Sequence, residues 1–302
     1  MLISIVIPCY RSGKTLPFVV AEIQDAFAGR QEYDYQIVLV NDGSPDDTYS
    51  VICGLCAENS KIIGIDLSRN FGQARARMAA LPFVRGEYLV CMDDDGQHPA
   101  QGIFSLVRTL QEGYDVAFSR FTHKRYSLFK RATSKLFRQL LELMGSRPKG
   151  VYISSFFACN QFTIEALKKY QSPSPTVVSY LAKVTTRITD VEVEHRERKA
   201  GHSGYTLGRL IDLALMSFTN FTVVPLRIVS VLGFLIAGIG FLAGTILVVR
   251  KLLNPAIAMG YTSLMAVLLL LGGTIIFTQG LLGEYVGHMY MMLSNLPQYM
   301  IR

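Results

Sequence analysis

The chain has 302 residues, with 30 Lys and Arg against 23 Asp and Glu, a formal net charge of +7, and half of its residues hydrophobic at a mean hydropathy of +0.29. That length suits one large or two modest domains with ample material for a core, and the hydropathy is high for a soluble protein. The positive charge is concentrated between 120 and 149, where nine basic residues face the single acid Glu142; no nucleic-acid-binding signature accompanies it, so nucleic acid is set aside in favour of the phosphates of a nucleotide, a lipid head group or a membrane surface.

Along the first 120 residues, strand and helix alternate. "LISIVIP" (2–8) reads as a strand and 14–28 carries helical spacing. "YQIVLV" (35–40) is a second strand, ended by the turn-former "NDGSPDD" (41–47), with a helix over 48–58. "KIIGIDL" (61–67) and "EYLVCM" (87–92) are further strands, separated by a helix over 71–84. A helix over 100–112 and a fifth strand, "YDVAFSR" (114–120), follow. Apolar strands separated by single helices predict an α/β fold with a mostly parallel sheet covered on both faces. Ligands of such sheets bind beyond the carboxyl ends of the strands, which is where Pro8 to Tyr10, Asp42 and Asp93 to Asp95 all fall.

Beyond the sheet, 126–145 is a basic amphipathic stretch and 206–224 a second amphipathic one, both suited to a membrane interface, with ordinary packed helices as the alternative. Residues 228–249 and 261–283 are runs of 22 and 23 positions without a charge. Each is long enough to cross a hydrocarbon core of about 30 Å at about 1.5 Å per residue. Two spans place both flanks on one side, and the opening "MLISIVIPCY" lacks a basic leader, so the first 200 residues are expected to stay cytoplasmic. Arg227 agrees with that orientation; Arg250 and Lys251, in the short loop, oppose it. The five cysteines (9, 53, 56, 91 and 159) fit a reducing compartment, and Cys53 and Cys56, a CxxC inside a helix with no second ligand pair, read as packing residues.

The chemistry centres on "MDDDGQHPA" (92–100). Asp93 and Asp95 share one side of an extended segment, and hard oxygens at that spacing suit Mg²⁺ or Mn²⁺ completed by substrate phosphates. Asp94 points elsewhere as a structural residue, Gln97 adds an oxygen, Gly96 makes the bend, and His98 reads as a supporting residue. "RSGKTL" (11–16) is not a Walker A loop, because Pro8 stands where the first glycine must be.

"SIVIPCY", "VLVNDGS", "SRNFGQARARMAA", "MDDDGQHPA", "AGHSGY" and "LLGEYVGHMY" together resemble the family 2 glycosyltransferases of GT-A fold, and within them the membrane-anchored branch that makes polyprenyl-phosphate sugars. The likeness covers essentially the whole chain. It implies a cytoplasmic GT-A domain over 1–205, an amphipathic juxtamembrane helix over 206–227, and a two-span hairpin with a short cytoplasmic tail over 228–302, in the inner or plasma membrane. It implies a nucleotide-sugar donor, UDP before GDP, and a polyprenyl-phosphate acceptor such as undecaprenyl phosphate. Mg²⁺ or Mn²⁺ would be required, the sugar carbon would invert, and the chain would form a homo-oligomer, a tetramer being one form.

By the same resemblance, Pro8, Tyr10 and Asp42 hold base and ribose, and Arg69 and Asn70 line the donor pocket. Asp93, Asp95 and Gln97 position metal and diphosphate. Arg120 and Arg131 are catalytic phosphate contacts, and Lys124, Arg125, Ser203 and Tyr205 join them at the lipid phosphate. The sequence departs from the family at two places: Ser155 and Phe157 replace the Asp and Arg of a "GDFR" segment, and "YRSG" (10–13) replaces "YNE". The first departure leaves a catalytically silent membrane scaffold as an alternative. A processive polysaccharide synthase is disfavoured because its QxxRW motif needs a Trp and the chain has none.

Overall fold

The computed structural model describes residues 1–121, 150–172, 175–193, 224–253, 260–294 and 297–302. They divide into two compact units, Met1–Leu207 with Leu296–Arg302, and Gly208–Asn295.

The first unit is built on β1 (Leu2–Cys9), α1 (Leu16–Ala28), β2 (Asp34–Asn41), α2 (Thr48–Glu58), β3 (Ile62–Asp66), α3 (Gln73–Ala80), β4 (Tyr88–Cys91), α4 (Gly102–Gln111) and β5 (Val116–Phe121). It continues through β6 (Phe157–Asn160), α5 (Gln161–Lys168), α6 (Val177–Val184) and β7 (Ile188–Val193). The strands form one seven-stranded sheet in the order β3-β2-β1-β4-β6-β5-β7. Each neighbouring pair is parallel except those of β6, which runs antiparallel to both β4 and β5. The five strands expected from sequence are present; β6 and β7 are additions.

Side-chain alternation explains why the apolar runs of β1 (Ile5–Ile7) and β2 (Ile37–Val40) are hydrophobic on both faces. Ile3, Ile5 and Ile7 of β1 and Ile37 and Leu39 of β2 face one side, where α1, α2 and α4 contribute Leu16, Ile23, Ile52 and Ile103. Val6, Val38 and Val40 face the other, where α3, α5 and α6 contribute Ala76, Ile164 and Leu181. A strand buried on both faces has no polar side to show, which is the signature of a parallel sheet between helical layers.

The second unit consists of α7 (Val224–Leu253) and α8 (Tyr261–Leu293), of 30 and 33 residues. Counted over the described residues, no helix is long and apolar enough to cross a membrane. The amphipathic stretches expected over 126–145 and 206–224 lie outside the described residues, apart from Val224, which opens α7.

Candidate active site

The parallel strands aim their carboxyl ends at one edge, and three turns and the end of β5 meet there. The first follows β1. Arg11 adopts a left-handed conformation (φ 58°), its N–H donates to Ser44 Oγ at 2.8 Å, and the buried Ser12 donates its N–H to Thr48 Oγ1 at 2.9 Å. This is how the unusual "YRSG" is accommodated: it is laced to the turn after β2. Pro8 is buried at the end of β1, whereas Tyr10 is 43% exposed at the edge.

The second turn carries Asp42, which is only 3% exposed. Its two oxygens accept the N–H groups of Phe71 (2.7 Å) and Gly72 (2.9 Å). Burial raises its pKa, opposed by those two hydrogen bonds and the charge of Arg75. Gly43 follows at φ 58°, and a Cβ there would stand 2.3 Å from the Arg69 carbonyl carbon, so the "NDGS" and "SRNFG" segments are in direct backbone contact. Arg69 and Asn70 are exposed beside this contact, with the Arg69 guanidinium 4.9 Å from the centre of the Phe71 ring.

The third turn is the aspartate run after β4. Asp93 sits in a cradle of donors. Gln73 Nε2 and Arg77 Nη2 (3.1 Å), one helical turn apart on α3, reach Oδ1; Ser155 Oγ donates to Oδ2 at 2.5 Å. His98 is buried, accepts the Asp93 N–H on Nδ1 at 2.9 Å, places Nε2 3.8 Å from Oδ2, and stacks on Phe156 with ring centres 4.9 Å apart. Burial pushes the Asp93 pKa up, but Arg77, His98 and the hydrogen bonds from Ser155 and Gln73 outweigh it, and the group lies below the usual carboxylate range.

Asp94 turns away from Asp93 and accepts the Tyr10 N–H at 3.2 Å and the Ser12 hydroxyl. Its pKa is raised to about 6 by burial, against those hydrogen bonds. The Gln97 N–H closes the turn onto Asp95 Oδ1 at 3.1 Å, across Gly96 at φ 72°. A cavity of about 270 Å³ opens beside Asp95, between it and Lys14, Phe18 and Glu22 of the α1 side.

The fourth contribution is Arg120 near the end of β5, 53% exposed and 3.6 Å from Asp190 of β7. The structure therefore brings Pro8, Tyr10, Asp42, Arg69, Asn70, Asp93, Asp95, Gln97 and Arg120 to one edge of the sheet. Lys124, Arg125, Arg131, Ser203 and Tyr205 lie outside the described residues. Sequence reasoning missed Ser12, Gln73 and Arg77 as site residues. Gln73 and Arg77 were detectable as an i, i+4 polar pair on one helix, but nothing local pointed them at Asp93.

The donor set suits a hard divalent cation. Asp93, Asp95 and Gln97 offer carboxylate and amide oxygens on one turn, and the cradle keeps Asp93 ionised. Among the described residues no group of three or more His, Cys, Asp or Glu is placed to hold a metal ion.

Comparison with known proteins places the chain in a family. The pattern of glycosyl transferase family 2 matches residues 4–171, and that of the GtrB C-terminal hairpin matches 224–289. The undecaprenyl-phosphate 4-deoxy-4-formamido-L-arabinose transferase of Photorhabdus laumondii is 34% identical over 99% of this chain and 93% of its own length. The transferase of the same name from Aeromonas hydrophila is 33% identical over the same shares. Among solved structures, glucosyl-3-phosphoglycerate synthase from Mycobacterium tuberculosis, in complex with Mn²⁺ and UDP-glucose, shares the fold at a TM-score of 0.52 and 18% identity. That match covers 71% of this chain and 78% of the synthase chain. With its sheet-edge aspartates and a relationship running nearly end to end, the chain belongs to glycosyl transferase family 2 and is a glycosyltransferase.

Proposed function

We propose that this enzyme transfers a sugar from a nucleoside-diphosphate donor, UDP-linked before GDP-linked, to undecaprenyl phosphate at the cytoplasmic face of a membrane. The observation that carries this reading is the near full-length likeness to undecaprenyl-phosphate sugar transferases, which spans both the catalytic unit and the hairpin. The uncharged runs 228–249 and 261–283 support membrane insertion of that hairpin. The catalytic domain over 1–205 would then meet the acceptor through the amphipathic stretch over 206–227.

In this reading Pro8, Tyr10, Asp42, Arg69 and Asn70 bind the nucleoside half of the donor. Asp93, Asp95 and Gln97 hold Mg²⁺ or Mn²⁺, which when bound neutralises charge on the leaving diphosphate. Arg120 and Arg131 face phosphates, with Lys124, Arg125, Ser203 and Tyr205 on the acceptor side. An oxygen of the lipid phosphate attacks the sugar carbon, the bond to the nucleoside diphosphate breaks, and the configuration inverts. The attacking phosphate is already ionised near neutral pH, so it needs no strong general base. Ser155 in place of a carboxylate is compatible with that chemistry; its hydroxyl serves Asp93 instead.

The test uses the purified protein in nanodiscs with undecaprenyl phosphate, Mn²⁺ or Mg²⁺, and a panel of UDP-, GDP- and dTDP-sugars, with the glycolipid followed by mass spectrometry. A lipid- and metal-dependent product is expected, reduced at least about 100-fold in Asp95→Asn. No product with any donor, together with no metal-dependent nucleotide binding, would favour the silent-scaffold reading.

A further inference from the structure

Residues 297–302, which follow α8 in sequence, belong to the catalytic unit. Ile301 forms an antiparallel bridge with Leu67, the Ser68 N–H donates to Met300 O at 2.9 Å, and the Arg302 N–H donates to Asp66 O at 2.9 Å. The segment thus pairs with the carboxyl end of β3, the outermost strand, where the chain leaves it for "SRNFG". Tyr299 packs against the core beneath α3, α5 and α6, and Gln298 Nε2 donates to Tyr170 O at 3.1 Å. Main-chain pairing supplies the attachment, and Tyr299 and Gln298 fix its register.

The contact reaches the site through side chains. The Arg302 guanidinium lies 3.8 Å from the Asp66 carboxylate, whose other oxygen accepts Asn41 Nδ2 at 2.7 Å. Buried Asn41 in turn accepts the Ser44 N–H on its side-chain oxygen at 3.2 Å, holding the turn that carries Asp42 and Gly43. From the other side, Asp42 grips Phe71 and Gly72, so the "NDGS" turn and the "SRNFG" segment are held by one another and by residues 297–302.

We propose that residues 297–302 are a strap that positions the nucleoside end of the donor pocket, with Arg302 acting as a positioning residue through Asp66 and Asn41. This rests on the donor reading above for its catalytic meaning, although the strap itself does not require it. Arg302 touches neither donor nor acceptor; its effect is on the shape of the turn that does.

The experiment compares the full chain in detergent with a variant lacking residues 297–302, and with Arg302→Ala and Arg302→Lys. Hydrogen exchange is measured on each without ligand, and affinity for UDP with Mn²⁺ by calorimetry. The deletion should accelerate exchange in both 41–48 and 66–72, and weaken UDP binding about tenfold. Arg302→Ala should weaken it a few-fold with the melting temperature nearly unchanged, Arg302→Lys should recover most of that loss, and the KM for undecaprenyl phosphate should stay constant. Unchanged exchange at 41–48 in the deletion variant would overturn the strap. So would a loss of UDP affinity matched by an equal loss for the lipid acceptor, which marks general destabilisation. If the wild-type chain bound no nucleotide, the donor reading would fail, and the exchange at 41–48 would still decide the strap.

Discussion

Asp93 carries two opposed effects on one carboxylate. Burial favours its neutral form, and the Arg77 charge, the His98 ring and the Ser155 and Gln73 hydrogen bonds favour its anion and prevail. Because the Arg77 and Asp93 side chains are only 12% and 20% exposed, Arg77→Ala leaves a nearly buried carboxylate without its closest cation. A loss of about 3 kcal/mol in denaturant unfolding is expected. Ser155→Ala removes a hydroxyl donor to an ionised acceptor and should cost about 1.5 kcal/mol on the same assay.

Asp94 gives a pH signature of opposite sign. Its folded value is raised from 3.8 to about 6, so the folded state keeps its proton longer than the unfolded chain. The stabilisation is full below pH 4 and is lost as pH rises from 4 to about 6, amounting to roughly 2–3 kcal/mol. In metal-free buffer, Asp94→Asn should therefore flatten the stability profile across that window. An unchanged slope would mean that Asp94 titrates as an exposed acid.

At the level of elements, the site depends on how two turns fit together. Gly43 combines a left-handed backbone with a Cβ position 2.3 Å from the Arg69 main chain. Gly43→Ala therefore carries both a conformational penalty and a backbone clash, together at least about 2 kcal/mol, with nucleotide affinity falling alongside the melting temperature. The antiparallel β6 has a comparable role. By inserting between β4 and β5 it places Ser155, two residues before its first, against Asp93, and it buries Phe157 against Phe118 at 5.4 Å. The two departures from the "GDFR" pattern thus have different fates: Ser155 serves the site and Phe157 serves the core.

For the whole molecule, the reading of α7 and α8 as a membrane hairpin makes a plain demand. Membranes from cells producing the chain, washed with alkaline carbonate, should retain it in the pellet; release into the supernatant would remove the hairpin from the bilayer. The catalytic unit makes a separate demand, because residues that follow the hairpin in sequence pair with the chain at the end of β3. A protein truncated before α7 therefore leaves the end of β3 without the pairing that residues 300–302 supply.

The sequence by itself determined the alternation of strand and helix through residue 121, the parallel sheet, and the edge where Pro8, Asp42 and the aspartates converge. These follow from side-chain periodicity, from turn residues and from the rule that parallel strands point the same way. Only the tertiary structure decided that Gln73, Arg77 and Ser155 surround Asp93, that β6 reverses direction, and that Arg302 meets Asp66. Ser155 is 62 positions from Asp93 in the chain, and no local pattern records such a pairing. Periodicity reports which face of a segment is buried, whereas the identity of a carboxylate's partner depends on the order in which distant strands and helices pack.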